Sequence, residues 1–318
     1  MNKRPLGRSG LQIAPLVLGT NVFGWNTDER TSFSLLDQFF DAGLNAIDTA
    51  DMYSVWAPGN HGGESETIIG NWFKASPSRR EKAVLITKVG AELAPDKKGL
   101  SAGYIMAAAE ASLRRLQTDY IDLYLSHYPD PATPVEETLR AYETLIQQGK
   151  VRAIGASNHS VPQLREALQA SSRENLPRYE VVQPAYNLYD RDGYEGELRD
   201  LCMDEGLGVI TYYGVASGFL SGKYRSAADE SKSQARGNRM AKYLNERGFR
   251  ILDALDAVAA AHDATPAEVA LAWLIAHKDV TAPISSVTST EQMDSLIRST
   301  RLTLSDGDIQ ALNTASRE

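Results

Sequence analysis

The chain has one cysteine, Cys202, so neither an intramolecular disulfide nor a thiolate metal cluster can form. It has no basic excess. Its 33 Lys and Arg against 41 Asp and Glu leave a formal charge of −8, which excludes a surface devoted as a whole to nucleic acid or an anionic membrane, though not a local basic pocket. No apolar run approaches the roughly eighteen residues of a spanning helix, and the opening MNKRPLGRSG lacks the apolar core of a secretory signal. A soluble, cytoplasmic protein with no membrane or nucleic-acid partner is therefore expected. No Pro/Gly/Ser linker or low-complexity tract divides the sequence, so residues 1–318 are expected to form a single domain. The hydrophobic fraction of 42% excludes disorder as the dominant state.

What is present is an alternation of short apolar runs with longer stretches of helical period. The strand candidates are Leu16–Leu18, Asn45–Asp48, Ala83–Lys88, Ile121–Ser126, Ala153–Ala156, Val181–Gln183, Gly208–Tyr212 and Thr281–Ile284. Several are apolar throughout, as strands covered on both faces are. Between them Ile105, Ala109, Ser112, Leu113 and Leu116 fall on one helix face, as do Val135, Leu139, Tyr142, Leu145 and Ile146. Thr133-Pro134-Val135-Glu136 and Thr265-Pro266-Ala267-Glu268 both read as capping boxes with proline at the first helical position. Gly43 and Gly149 sit where helices should stop.

Eight strands alternating with helices predict a (β/α)8 TIM barrel of the α/β class, with an open doubly wound sheet as the competitor. No Gly-x-Gly-x-x-Gly follows the first strand, so a Rossmann fingerprint is missing. Gly10–Leu18 is expected to form a small N-terminal β-hairpin on the barrel floor. The polar stretch Lys223–Gly248 after strand 7 reads as a long mobile loop near a ligand.

Four residues that could carry chemistry sit at or just beyond consecutive strand ends: Asp48 and Tyr53 in IDTADMY, Lys88 in LITKVG and His127 in LYLSHYPD. Each alone has a plain reading: a turn-capping Asp, a packing Tyr, a solvated Lys, a structural His. The set is different, because the strand ends of a barrel converge on one mouth. There an ammonium beside a phenol lowers its pKa by favouring phenolate, and a carboxylate holds the ammonium in place. An imidazole can orient a carbonyl toward the phenol. Such a site protonates an oxygen while a cofactor delivers hydride.

These segments carry a wider resemblance. PLGRSGLQIAPLVLGT, AIDTADMY, ESETIIGNW, ITKVG, SLRRLQTDYIDLYLSHYPD, GKVRAIGASNH, VVQPAYNLYDR, ASGFLSGKY and STEQMDSL, in this order, resemble the aldo-keto reductases almost end to end. The detail is closest to the branch containing the potassium-channel beta subunits and bacterial aldehyde reductases. The resemblance implies a barrel that binds NADPH without a Rossmann domain and reduces an aldehyde or ketone reversibly. It implies Tyr53 as general acid, tuned by Lys88 and Asp48, with His127 orienting the carbonyl. For the cofactor it implies Gly19, Thr20 and Asn21 beneath the nicotinamide, Ser157, Asn158 and Gln183 on its carboxamide, and Tyr212 stacked on its ring. Tyr213, Gly214, Val215, Ser217 and Gly218 then line the pyrophosphate, Lys223 and Arg236 reach a phosphate, and Ser286, Thr288 and Gln292 meet the adenosine end.

The sequence also departs from that pattern. The usual Tyr-Ser-Pro-Leu-Ala is Tyr212-Tyr213-Gly214-Val215-Ala216, which implies a more flexible loop at Gly214. ISSVTSTEQMDSL has no Lys or Arg where many relatives place one on the 2′-phosphate, and Leu296 stands where an Asn often meets adenine. Lys223 and Arg236 remain to favour NADPH, with NADH as the alternative cofactor. Trp25, Trp56 and Tyr128 either ring the mouth as an apolar substrate rim or pack within their own loops. His61 reads as solvated, and no residues stand at metal spacing. The rival to a carbonyl reductase is a nucleotide-sensing regulatory subunit of the channel-beta type. No heptad or self-complementary edge marks an oligomeric state.

Overall fold

The computed structural model describes residues 2–226, 229 and 240–317; Arg236 and the centre of the 223–248 stretch lie outside the described residues. A hairpin of β1 (Arg4–Pro5) and β2 (Gln12–Ile13) precedes the barrel. Eight parallel strands then close on one another in the order β10-β3-β4-β5-β6-β7-β8-β9. They are β3 (Val17–Gly19), β4 (Ala46–Asp48), β5 (Val84–Val89), β6 (Ile121–Ser126), β7 (Val151–Ser157), β8 (Tyr179–Gln183), β9 (Gly208–Thr211) and β10 (Ala282–Ser285). Between them run α1 (Glu29–Asp41), α2 (Glu64–Ala75), α3 (Ser78–Lys82), α4 (Ala102–Leu116), α5 (Val135–Gln147), α6 (Val161–Glu174) and α7 (Glu197–Glu205). The chain ends with α8 (Glu246–Ala261) and α9 (Pro266–Ala276) before β10, then α10 (Thr290–Ser299) and α11 (Asp306–Ala315).

The two-residue period of the strands sorts side chains between two cores. Val17, Ala46, Ile86, Leu123, Leu125, Val181, Ile210, Ala282 and Ile284 pack on the barrel axis, with Leu6, Leu11 and Ile13 of the hairpin beneath them. Ile47, Leu85, Tyr124, Ile154, Val182 and Val209 point outward into the larger core under the helices. Burying an aliphatic side chain of this kind stabilises by about 2 kcal/mol. Gly155 serves a close approach: a Cβ there would lie 2.4 Å from Val181 O, beside a register shift between β7 and β8.

The strands match the expected ones to within one or two residues. The hairpin instead forms at Arg4–Ile13, and the residues from Ala14 onward lead into β3. Thr265 and Glu268 form their capping box, but Thr133 does not cap α5. Its hydroxyl donates to Asp130 Oδ2 at 2.7 Å, which binds it to the preceding loop. The end of the 223–248 stretch is helical, because the Asn245 side chain accepts from Gly248 N and starts α8. Gly214 is not in the left-handed region, and its chain is buried rather than free. A Cβ there would lie 3.0 Å from Leu274 Cδ1 and 3.2 Å from Leu271 Cδ2, both on α9.

Candidate active site

The same period that builds the axial core delivers the polar residues. Asp48, Lys88, His127, Ser157, Gln183, Tyr212 and Ser286 each lie two residues beyond an axial position: Ala46, Ile86, Leu125, Gly155, Val181, Ile210 and Ile284. All therefore rise toward the C-terminal mouth, where side chains from different strands converge. Asp48 closes β4, Ser157 closes β7 and Gln183 closes β8. His127 follows β6, its N–H donating to Val89 O at 2.8 Å.

Lys88 is fully buried. Its Nζ donates to Asp48 Oδ1 at 2.6 Å, Thr49 O at 2.8 Å and Tyr53 Oη at 2.8 Å, which uses all three of its protons. Tyr53 Oη also donates to Asp48 Oδ1 at 3.3 Å. Burial, and then the Asp48 charge, hold the Tyr53 phenol well above its ordinary pKa. The expected lowering by Lys88 is outweighed, because the phenolate would be formed in a dry pocket beside a carboxylate. Burial also pulls the Lys88 ammonium below its ordinary value, with the Asp48 charge opposing. Burial, then Lys88, hold His127 well below its ordinary value, so its imidazole is neutral at pH 7. His127 Nδ1 is buried without a partner, and the ring centroid lies 6.1 Å from that of Tyr53.

A hydrogen-bonded path continues from Asp48. Gln183 Nε2 donates to Asp48 Oδ2 at 2.7 Å, Ser157 Oγ to Gln183 O at 2.9 Å, and Asn158 Nδ2 to Ser157 Oγ at 3.1 Å and His127 O at 2.9 Å. Tyr212 Oη then donates to Asn158 Oδ1 at 2.7 Å. On the opposite side, Thr20 Oγ1 donates to Asp48 O, and Ser286 Oγ donates to Asn21 Oδ1. Gly19 lies so close to β10 that a Cβ would stand 2.6 Å from Ser286 Oγ.

The loop after β9 has left-handed backbone at Tyr213, Ala216, Ser217 and Gly218. Three of these carry side chains, a strain that packed surroundings must hold. Lys223 Nζ lies 5.1 Å from the centroid of the Tyr224 ring. Thr288 N and Oγ1 both donate to Gln292 Oε1, and Leu296 is buried in the outer core.

The three aromatics read either as a rim or as loop packing stand beside Tyr53, His127 or one another. Trp56 lies 6.1 Å from the Tyr53 ring and 5.8 Å from Trp25, and Tyr128 stacks on His127 at 4.8 Å. Trp56 and Tyr128 remain 43% and 46% exposed, so both offer open ring faces. Tyr213 is exposed as well, its ring edge-on to Tyr212. His61 is exposed, while His159 is tied by Nδ1 to Ser157 O.

Thr49, Ser65 and Asp51 were not foreseen. Thr49 Oγ1 donates to Ser65 Oγ, which donates to Thr20, locking the first turn of α2 onto the ends of β3 and β4. The sequence signal was the run of four polar residues, Glu64-Ser65-Glu66-Thr67, that opens α2 directly after Gly62-Gly63. Among the described residues no group of His, Cys, Asp and Glu could hold a metal ion, and no helix is long and apolar enough to cross a membrane.

The profile of the aldo/keto reductase family matches residues 15–317. An uncharacterized oxidoreductase of Bacillus subtilis, YrpG, is 35% identical over 97% of this chain and 94% of its own. A probable voltage-gated potassium channel subunit beta of Arabidopsis thaliana is 33% identical over 92% and 89%. Protein tas of Escherichia coli is 30% identical over 96% and 95%. With the strand order, the mouth and this full-length match in agreement, the chain belongs to the aldo/keto reductase family of oxidoreductases.

Proposed function

We propose that the protein is an NADPH-dependent reductase of aldehydes and ketones, working reversibly, with Tyr53 as general acid in reduction and general base in oxidation. The observation that supports this most directly is the Lys88 ammonium, which donates at once to Asp48, Tyr53 and Thr49 in a buried pocket at the strand ends. When bound, NADPH would supply the hydride that no side chain carries. Tyr53 Oη gives its proton to the substrate oxygen, and Lys88, 2.8 Å away, stabilises the phenolate that remains. A phenol that keeps its proton at neutral pH is in the form reduction needs. The neutral His127 imidazole donates to the same oxygen and orients it, and its orphaned Nδ1 fits a mouth built to take a polar ligand. A positioned general acid of this kind is worth about 10²–10⁴ in rate.

The residues present also fit the nicotinamide nucleotide. Ser157, Asn158 and Gln183 would hold its carboxamide, and Tyr212 its ring face, with Gly19, Thr20 and Asn21 beneath. The turn from Tyr213 through Gly214 and Val215 to Ser217 and Gly218, left-handed at Tyr213, Ala216, Ser217 and Gly218, would turn N–H groups toward the pyrophosphate. Ser286, Thr288 and Gln292 would meet the adenosine end, where the start of α10 offers free N–H groups. Lys223 and Arg236 are the cations assigned to the 2′-phosphate and so favour NADPH over NADH, although Ile284–Leu296 itself contains no cation. Trp25, Trp56 and Tyr128 would form an apolar rim for a small carbonyl substrate.

The alternative, a nucleotide-sensing subunit with little turnover, draws on the likeness to the Arabidopsis chain. Quenching of tryptophan fluorescence by NADPH, followed by turnover of 4-nitrobenzaldehyde and a wider carbonyl panel, separates the two. Binding with turnover is the expected result. Binding without turnover of any carbonyl overturns the reductase reading.

A further inference from the structure

Asp51, in the connection that leaves β4, is buried, and neither of its carboxyl oxygens has a hydrogen-bond partner. Its own N–H donates to Lys88 O at 3.3 Å, which pins it to the strand that carries the ammonium. Thr87 and Tyr124 point away from the barrel axis here, so Asp51 shares the space between the wall and the helices. From α2, Glu66 accepts from Thr87 Oγ1 at 2.6 Å and pairs with Arg115 of α4 at 2.7 Å. Tyr104 of α4 and Tyr142 of α5 face the same region, as does Tyr124 of β6, whose buried hydroxyl is also unpartnered.

A carboxylate in this place would have its charge desolvated with little beyond the Met52 N–H to favour it, a cost of several kcal/mol. The usual resolution is to keep the proton. Burial, then the Glu66 charge, push Asp51 up to about 8, against the Arg115 charge, the Met52 N–H and the Lys88 charge.

We propose that Asp51 is a positioning residue for the Tyr53 chemistry: a neutral acid behind the barrel wall whose ionisation weakens Lys88 as a support for the phenolate and so sets the alkaline limit of reduction. With Asp51 neutral, Asp48 is the only carboxylate bonded to Lys88, and the ammonium retains attraction for the negative charge that forms on Tyr53. Ionised Asp51 places a second negative charge near Lys88, which disfavours proton release by Tyr53. The inference rests on the reductase reading above.

Two measurements test it. In wild type, kcat/KM for reduction is expected to fall about tenfold as the pH rises through the Asp51 ionisation. Asp51→Asn preserves the shape of the uncharged acid, so it should match wild-type turnover in mildly acidic buffer and lose that fall. A merely structural role would lower activity at every pH and leave the fall in place, and that result overturns the proposal. The second reading needs no turnover. In protein labelled with ¹³C-aspartate, one protonated-carboxyl infrared band should persist at neutral pH and vanish near pH 8. Absence of such a band overturns the proposal even if Asp51→Asn does not fold. A chain that carries the band but turns over no carbonyl fails on the reductase reading instead, so the two failures remain distinct.

Discussion

Asp48, Lys88, Ser157 and Gln183 stand on strands, each two residues beyond a position on the barrel axis, and all four are tied to one another through a continuous path from Lys88 to Ser157. Lys223 instead lies on the connection that follows β9, Thr288 on the one that follows β10 and Gln292 in the first turn of α10, while Arg236 falls outside the described residues. The strand-borne side chains are anchored on the packed axial core and on one another, so the arrangement around Lys88 is built into the fold. A scaffold of this kind can hold one reaction fixed while its cofactor and substrate ends vary.

The comparison is broken most severely at its rigid end. Tyr53→Phe keeps the ring and removes the proton, so turnover should fall about 10²–10⁴ with NADPH affinity nearly unchanged. Stopped-flow hydride transfer beside a fluorescence titration measures both. A variant with wild-type turnover would show that the acid lies elsewhere.

The next largest effect is expected at the loop-borne end. If Lys223 and Arg236 hold a 2′-phosphate, changing both to Met should weaken NADPH by roughly 2–4 kcal/mol and leave NADH little changed. Isothermal titration with the two cofactors decides it. Equal losses would assign the pair to the pyrophosphate or to the loop itself.

What the sequence revealed follows the same division. IDTADMY, LITKVG and LYLSHYPD place Asp48, Lys88 and His127 by the strand period, and that period was legible because apolar residues at Ala46, Ile86 and Leu125 fix its phase. Thr133 misled because its local pattern fits a cap, whereas Asp130 in the preceding turn offers a stronger acceptor and wins the hydroxyl. Asp51 was hidden for a related reason. Three positions beyond Asp48 it reads as a solvated loop acid, and only the packing of α2 and α4 against β5 and β6 removes its water.

Asp51 gives the comparison a stability counterpart. Its folded pKa, near 8, lies above the ordinary carboxyl value of 3.8, so between these limits the folded chain binds more protons than the unfolded one. The stability it contributes is therefore complete at acid pH and is lost as the pH rises through that window, by about 1 kcal/mol per pH unit. Asp51→Asn removes this slope. Calorimetry should show the melting temperature of the variant gaining on wild type steadily from pH 5 toward pH 8, then holding a constant lead. A constant difference across the whole range would mean that Asp51 does not hold its proton in the folded state.

The smallest effect is expected at Gly214, where a loop expected to be free is packed against a helix. Its backbone lies outside the left-handed region, so serine fits the dihedrals, and losing glycine's freedom in the unfolded chain favours folding by somewhat under 1 kcal/mol. Against this, the new Cβ would press on Leu274 and Leu271, which are buried at 0% and 2% exposure and have little room to retreat. Overpacking of a tight site costs about 1–3 kcal/mol, so the contact outweighs the entropy. Gly214→Ser should therefore lower the melting temperature by a few degrees and weaken NADPH by no more than about threefold, without changing hydride transfer. Pairing it with Leu274→Val, which removes the methyl group nearest the new side chain, should restore most of the loss. If the single variant binds NADPH more tightly than wild type, the leucines have yielded and the loop's freedom, rather than its packing, was what limited affinity.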